Sequence, residues 1–213
     1  MLKRHGIAPA PKRSQSTTWK DFVAAHMAVL AGTDFFTVEV LTWRGLVTYY
    51  VLFFLHLETR RVTLAGITRH PTESWMAQVA RNVVDDPASV VCRCRYVLHD
   101  RDAKFCVGFE DVFGSEGIRC LKLPPRSPNL NAFAERWVRS VKEECLSKLI
   151  LFGERSLQRA VTECIAHFHS ERNHQGKGNV LLFAAPAPLT SRRPIRCRER
   201  LGGLFDITAE QLE

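Results

Sequence analysis

Four acids stand apart from their surroundings: Asp34, Asp100, Asp102 and Glu135. Asp34 falls in a β-branched and aromatic stretch, between Thr33 and Phe35-Phe36. Aspartate is depleted in strands, and an ionised carboxylate there needs a compensating partner. Taken alone it reads as an edge residue facing water. His99-Asp100-Arg101-Asp102 follows the strand Tyr96-Val97-Leu98. These acids therefore leave a strand at its C-terminal end, where open α/β sheets collect their ligands. One of the two could equally be a turn acid capping the next helix. Glu135 sits one step beside an apolar helical stripe of Ala134, Val138, Val141, Cys145 and Leu149, with Arg139 and Lys142 on its own flank. As plain surface, Glu135 and Arg139 make an i,i+4 pair of about 0.3 kcal/mol. As chemistry, an acid with cations beyond it suits a phosphate track.

Three acids drawn from two strands and a helix make an oxygen-ligand site for hard divalent cations. Mg²⁺ takes few carboxylates and fills its shell with water or phosphate oxygens. Two such ions about 3.5–4 Å apart activate the attacking oxygen and stabilise the leaving one in an in-line displacement at phosphorus. No covalent protein intermediate is needed.

The elements that must position these acids follow from pattern. Thr17 or Thr18 caps a short helix to His26. Strands are expected over 32–41, 46–57 and 60–68, joined by turns so short that they must be antiparallel neighbours. A helix from 71 to about 84, a strand over 95–99, a helix over 105–115 and a strand over 118–123 come next. Pro124-Pro125-Arg126 stops that strand, and Ser127-Pro128 opens a helix expected to run to about Leu151. A last helix spans 154–172. The order predicts an α/β fold with a mixed five-stranded sheet flanked by helices.

The chain has 213 residues, 46% hydrophobic and 24% charged, ordinary values for a globular domain. Its longest apolar run, Leu46 to Leu57, is too short for a membrane helix. The net charge is +8. Lys3, Arg4, Lys12, Arg13 and Lys20 give the first twenty residues five positive charges and no acid. A nearly balanced globule with a basic arm fits nucleic-acid contact. Seven cysteines show no paired framework, which points to a reducing cytosol. The expected organisation is a basic arm over 1–17, a catalytic core over 18–183 and a weakly structured Pro/Arg-rich tail over 184–213.

Thr33-Asp34-Phe35-Phe36, His99-Asp100-Arg101-Asp102-Ala103-Lys104-Phe105 and Pro124 through Arg136 together resemble the catalytic core of DDE transposases and retroviral integrases, in the bacterial insertion-sequence branch. Lys142-Glu143-Glu144-Cys145-Leu146 and Glu171 through Gly176 resemble that branch too. The likeness covers about residues 19 to 183, and Glu135 follows Asp100 by 35 positions. It implies an RNase H-like fold in which Asp34, Asp100 and Glu135 are the catalytic metal ligands for two Mg²⁺ or Mn²⁺ ions. It also implies hydrolysis at a transposon end, then transfer of the freed 3′-hydroxyl to a target phosphodiester. Arg126, Asn131, Arg139 and Lys142 are the expected DNA contacts. The implied partners are element-end and target DNA, further copies of the chain, and a separate helix-turn-helix polypeptide, since a DNA-reading module is not apparent before the core. The implied location is the bacterial cytoplasm, at the nucleoid.

Two departures matter. Asp102 stands where many members have glycine, which leaves Asp102 as the reserve for Asp100. His56 stands where many have an acid at the second strand's end. Zinc binding by Cys164, His167, His169 and His174, or by Cys92 and Cys94, lacks convincing ligand spacing. Tyr49, Tyr50 and Tyr96 all fall in strands, unlike a recombinase nucleophile, and no Walker-type loop implies ATP. The competing functions are a DNA-binding remnant without chemistry and a nuclease of the same fold.

Overall fold

The run from Leu46 to Leu57 is apolar at odd and even positions alike because both faces of its strand are covered. In the computed structural model, which describes residues 18–124, 132–174, 180–183 and 198–207, it becomes the strand β2 (Gly45–His56). Phe53 and Leu55 pack into one core, Leu52 and Phe54 into the other. Its neighbours are β1 (Leu30–Thr42) and β3 (Val62–Thr68), both antiparallel to it. Gly45 takes φ 103° in the tight turn that joins β1 to β2, a conformation open to glycine.

Beyond β3 the chain alternates: α2 (Glu73–Asp85), β4 (Tyr96–His99), α3 (Val107–Ser115) and β5 (Arg119–Lys122). β4 pairs parallel with both β1 and β5, giving a mixed five-stranded sheet in the order β3-β2-β1-β4-β5. This is the mixed α/β sheet expected from the element order, and the RNase H-like architecture that the resemblance implies. One face carries α2 and α3, where Met76, Val79, Phe109 and Phe113 meet Leu52 and Phe54. The other carries α1 (Trp19–His26), α4 (Ala132–Ser140) and α5 (Gly153–Ser170), with Trp137, Leu157 and Val161 fully buried against the sheet. Thr18 caps α1 with its hydroxyl on the Asp21 N–H, 3.2 Å away. No described helix is long and apolar enough to cross a membrane.

Three expectations need correction. The helix expected to reach Leu151 ends at Ser140, continues as a π turn over Val141–Cys145 and a 3₁₀ turn over Leu146–Lys148, and then leaves helical geometry. Cys145 and Cys164, expected to be unpaired, form a disulfide that ties the π turn to α5. Part of the expected loose tail is a hairpin of β8 (Arg198–Arg200) and β9 (Phe205–Ile207) seated on α5. There Arg200 grips Glu171 at 2.9–3.0 Å and also Glu163, while Phe205 stacks on His167 at 4.1 Å. After α5 comes a two-residue ladder, β6 (Asn173–His174) with β7 (Val180–Leu181). The arm over 1–17 lies outside the described residues.

Candidate metal centre

Backbone register brings the two aspartates together. In the parallel β1–β4 pair, Leu30 faces Tyr96, Ala31 faces Val97 and Gly32 faces Leu98. Carried two residues further, the same offset sets Asp34 opposite Asp100. Residues two apart on a strand share a face. Leu30, Phe36 and Leu98 all belong to the core beneath α4 and α5, so Asp34 and Asp100 belong to that side of the sheet. Asp100 is the first residue past β4, and Asp102 lies two residues further from the strand.

Each aspartate is pinned by backbone. The Phe35 N–H donates to Asp34 Oδ1 at 2.7 Å, and the Asp102 N–H donates to Asp100 Oδ1 at 3.0 Å. Asp102 is occupied with Lys104, whose backbone N–H and Nζ reach its carboxylate at 3.0 and 2.5 Å. Burial works to raise the Asp102 carboxyl, but these bonds and the Lys104 charge outweigh it and hold the group below its ordinary value. Asp34 goes the other way. Burial pushes its carboxyl up to about 6 against the pull of the Phe35 N–H, with repulsion from Asp100, Glu135 and Asp102 adding to the rise.

Glu135 reaches this field from α4. Trp137 anchors the helix, its ring 4.2 Å from Phe53 and 5.8 Å from Phe36. Glu135 itself is exposed at the margin of that contact. Arg139 is exposed on the same flank, and Lys142 Nζ lies 6.0 Å from the Phe36 ring, one same-face position along β1 from Asp34. Arg126 and Asn131 lie outside the described residues.

The donor set fits a hard divalent cation: carboxylate oxygens only, one partly buried and carrying the repulsion of three others. Among the described residues, however, no three His, Cys, Asp or Glu side chains are drawn together tightly enough to hold an ion.

Sequence reasoning passed over two residues beside the acids. His99 is fully buried, donates from Nδ1 to the Asp100 carbonyl at 2.7 Å, and packs on Phe105 at 4.6 Å. Its signal was a histidine ending an otherwise apolar strand. Lys104, which holds Asp102, also lies over the rings of Phe35 and Tyr50 at 5.7 and 5.4 Å. Nothing in its local sequence shows that contact. Trp43 is exposed and meets Phe152 edge-on at 5.0 Å.

A family model described as an integrase core domain matches residues 116–180, the stretch from the end of α3 through α4 and α5 to β7. No curated protein matches the chain. Among solved structures, the HTLV-2 integrase catalytic core domain in complex with magnesium is 10% identical, with TM-score 0.53 over 71% of this chain and 92% of that one. The catalytic core of BIV integrase is 14% identical, with TM-score 0.50 over 70% and 88%. A chain of the simian T-cell lymphotropic virus intasome, in complex with the PP2A regulatory subunit B56 gamma, is 11% identical, with TM-score 0.54 over 85% and 66%. The chain thus has the fold of retroviral integrase catalytic cores, and its segment 116–180 is similar to the integrase core domain.

Proposed function

We propose that the chain is a DDE-type polynucleotidyl transferase. It hydrolyses a phosphodiester at the end of a DNA element and joins the freed 3′-hydroxyl to a target strand. The observation that carries this reading is that the parallel β1–β4 pairing brings Asp34 and Asp100, the residue just past β4, to one place on the sheet face that α4 covers, where Glu135 also acts on the Asp34 carboxyl. The family match across Glu135 supports it from sequence.

Asp34, Asp100 and Glu135 would hold Mg²⁺ or Mn²⁺, two ions in the active complex. Such ions supply Lewis-acid activation of the attacking oxygen and charge stabilisation of the leaving one. The chain's own residues prepare the rest. The Phe35 and Asp102 N–H groups fix one oxygen of each aspartate. Lys104 keeps Asp102 engaged, so Asp100 is the metal ligand of the pair. Arg139 and Lys142 line the approach from α4 and bind the phosphates leading to the reacting bond, with Arg126 and Asn131 as further contacts. The enzyme works as a homo-oligomer on element-end and target DNA, at the nucleoid in the bacterial cytoplasm. The HTLV-2 core crystallised with magnesium and the simian viral intasome support metal use and assembly on DNA by analogy of fold.

The test is incubation with pre-cleaved element-end DNA and Mn²⁺, scored for joined strands. Wild type forms joined products, and Glu135→Gln forms none while still binding DNA, because phosphate contacts supply most of the affinity. Cleavage without joining would favour a nuclease of the same fold. Full joining by Glu135→Gln would remove Glu135 from the site.

A further inference from the structure

A second cationic site lies across α4 from the acids. The turn leaving β2 ends at Arg60, which has φ 64°, the left-handed region that glycine usually fills. Its N–H closes the turn on the His56 carbonyl at 2.9 Å. Its guanidinium donates to the Leu57 carbonyl and lies over the Phe133 ring, with Cζ 3.2 Å from the centroid. Arg136, one turn along α4, brings its own Cζ within 5.8 Å of the same ring. Two guanidinium groups thus gather at one aromatic ring, and neither has a carboxylate partner among the described residues. Burial lowers the Arg60 guanidinium to about 10, and repulsion from Arg136 adds to the fall.

A side chain held in the left-handed region, half-buried and facing a like charge is a costly arrangement unless an anion completes it. Arginine pairs of this kind match the oxygens of a phosphate. At about 100° per residue, Phe133 and Arg136 fall on one flank of α4 and Glu135, Arg139 and Lys142 on the other. We infer that Arg60 and Arg136 form a phosphate-binding site for a second phosphodiester strand, so that DNA straddles α4 with the reacting strand on the Glu135 flank. The strand assignment rests on the polynucleotidyl transferase reading; the anion site does not.

The experiment compares wild type with Arg60→Gly and with Arg60→Gly/Arg136→Gln, all in EDTA. Glycine adopts φ 64° freely, so the turn survives the substitution. Two readouts are taken: the thermal midpoint with and without inorganic pyrophosphate at constant ionic strength, and the salt dependence of binding to a labelled DNA duplex. Pyrophosphate should raise the wild-type midpoint and leave that of the double variant unmoved. The log–log salt slope should fall by about 1 in Arg60→Gly and about 2 in the double variant. A pyrophosphate response that depends on the two arginines, in a chain that binds no duplex, keeps the anion site and overturns the DNA reading. Equal pyrophosphate responses in wild type and double variant, with an unchanged salt slope, overturn the site and leave the DNA reading standing.

Discussion

Asp34 holds its proton more tightly folded than unfolded, because burial and three acidic neighbours disfavour its charge. The sign follows by linkage: its contribution to stability is present near pH 4 and is lost as pH rises through about 6. Asp34→Asn should therefore be more stable than wild type at pH 8 in EDTA, by about 2 kcal/mol once residual solvent screening is allowed for, and equal to it near pH 4. Urea unfolding at the two pH values checks this, and a substitution equally stable to wild type at both would show that the carboxylate carries no such load. The same variant should lose strand transfer, the trade between stability and function that strained acidic sites show. Asp100 and Asp102 separate on a different measurement. Asp102 is satisfied by Lys104, whereas Asp100 leaves β4 directly after His99, so Asp102→Asn should retain joining activity while Asp100→Asn loses it.

At the scale of elements, α4 is a lever fastened in its middle. Trp137 fixes it to Phe36 and Phe53, and the Cys145–Cys164 bond fastens the turn beyond it to α5. Arg139 and Lys142 ride on that lever. Changing both to alanine should lower the log–log salt slope of DNA binding by about 2. An unaltered slope would make them an ordinary solvated flank. Much of this scale was readable beforehand. The first three strands announced themselves through β-branched and aromatic runs broken by Thr42-Trp43-Arg44-Gly45 and Glu58-Thr59, and the order of helices and strands required a mixed sheet. The end of α4 was hidden, because Val141, Cys145 and Leu149 keep helical spacing across a π turn that inserts an extra residue and buries Leu146 instead. The cysteine pair was hidden for a related reason: it depends on how two helices pack. Of the site, the acids were legible from residue type and place. The contact of Arg60 with Phe133 joins segments far apart in sequence and leaves no local mark.

For the whole molecule, the sheet separates two cores, and the C-terminal hairpin closes the outer side of one of them against α5. Arg200 is the clasp, with a mostly buried guanidinium held by Glu163 and Glu171. Arg200→Ala leaves the buried Glu171 with only the His167 ring at 3.1 Å as partner and should cost about 2 kcal/mol, read by urea unfolding, with new protease cleavage within 198–207. Arg200→Lys should not restore it, since one ammonium cannot reproduce the two-pronged contact with Glu171. The parallel pairing of β1 with β4 has a consequence for how such chains tolerate insertions and deletions. Asp34 on β1 and Asp100 just past the end of β4 are brought together by the parallel pairing of those two strands, not by anything in the segment between. The exposed turn over residues 85–88, ahead of the buried 3₁₀ turn at Val90–Arg93, can lengthen or shorten with the pair intact. Removing one residue between Tyr96 and His99 turns Asp100 to the opposite face of the sheet. The number of residues separating the two aspartates can drift, while the number separating each from the start of its own strand cannot.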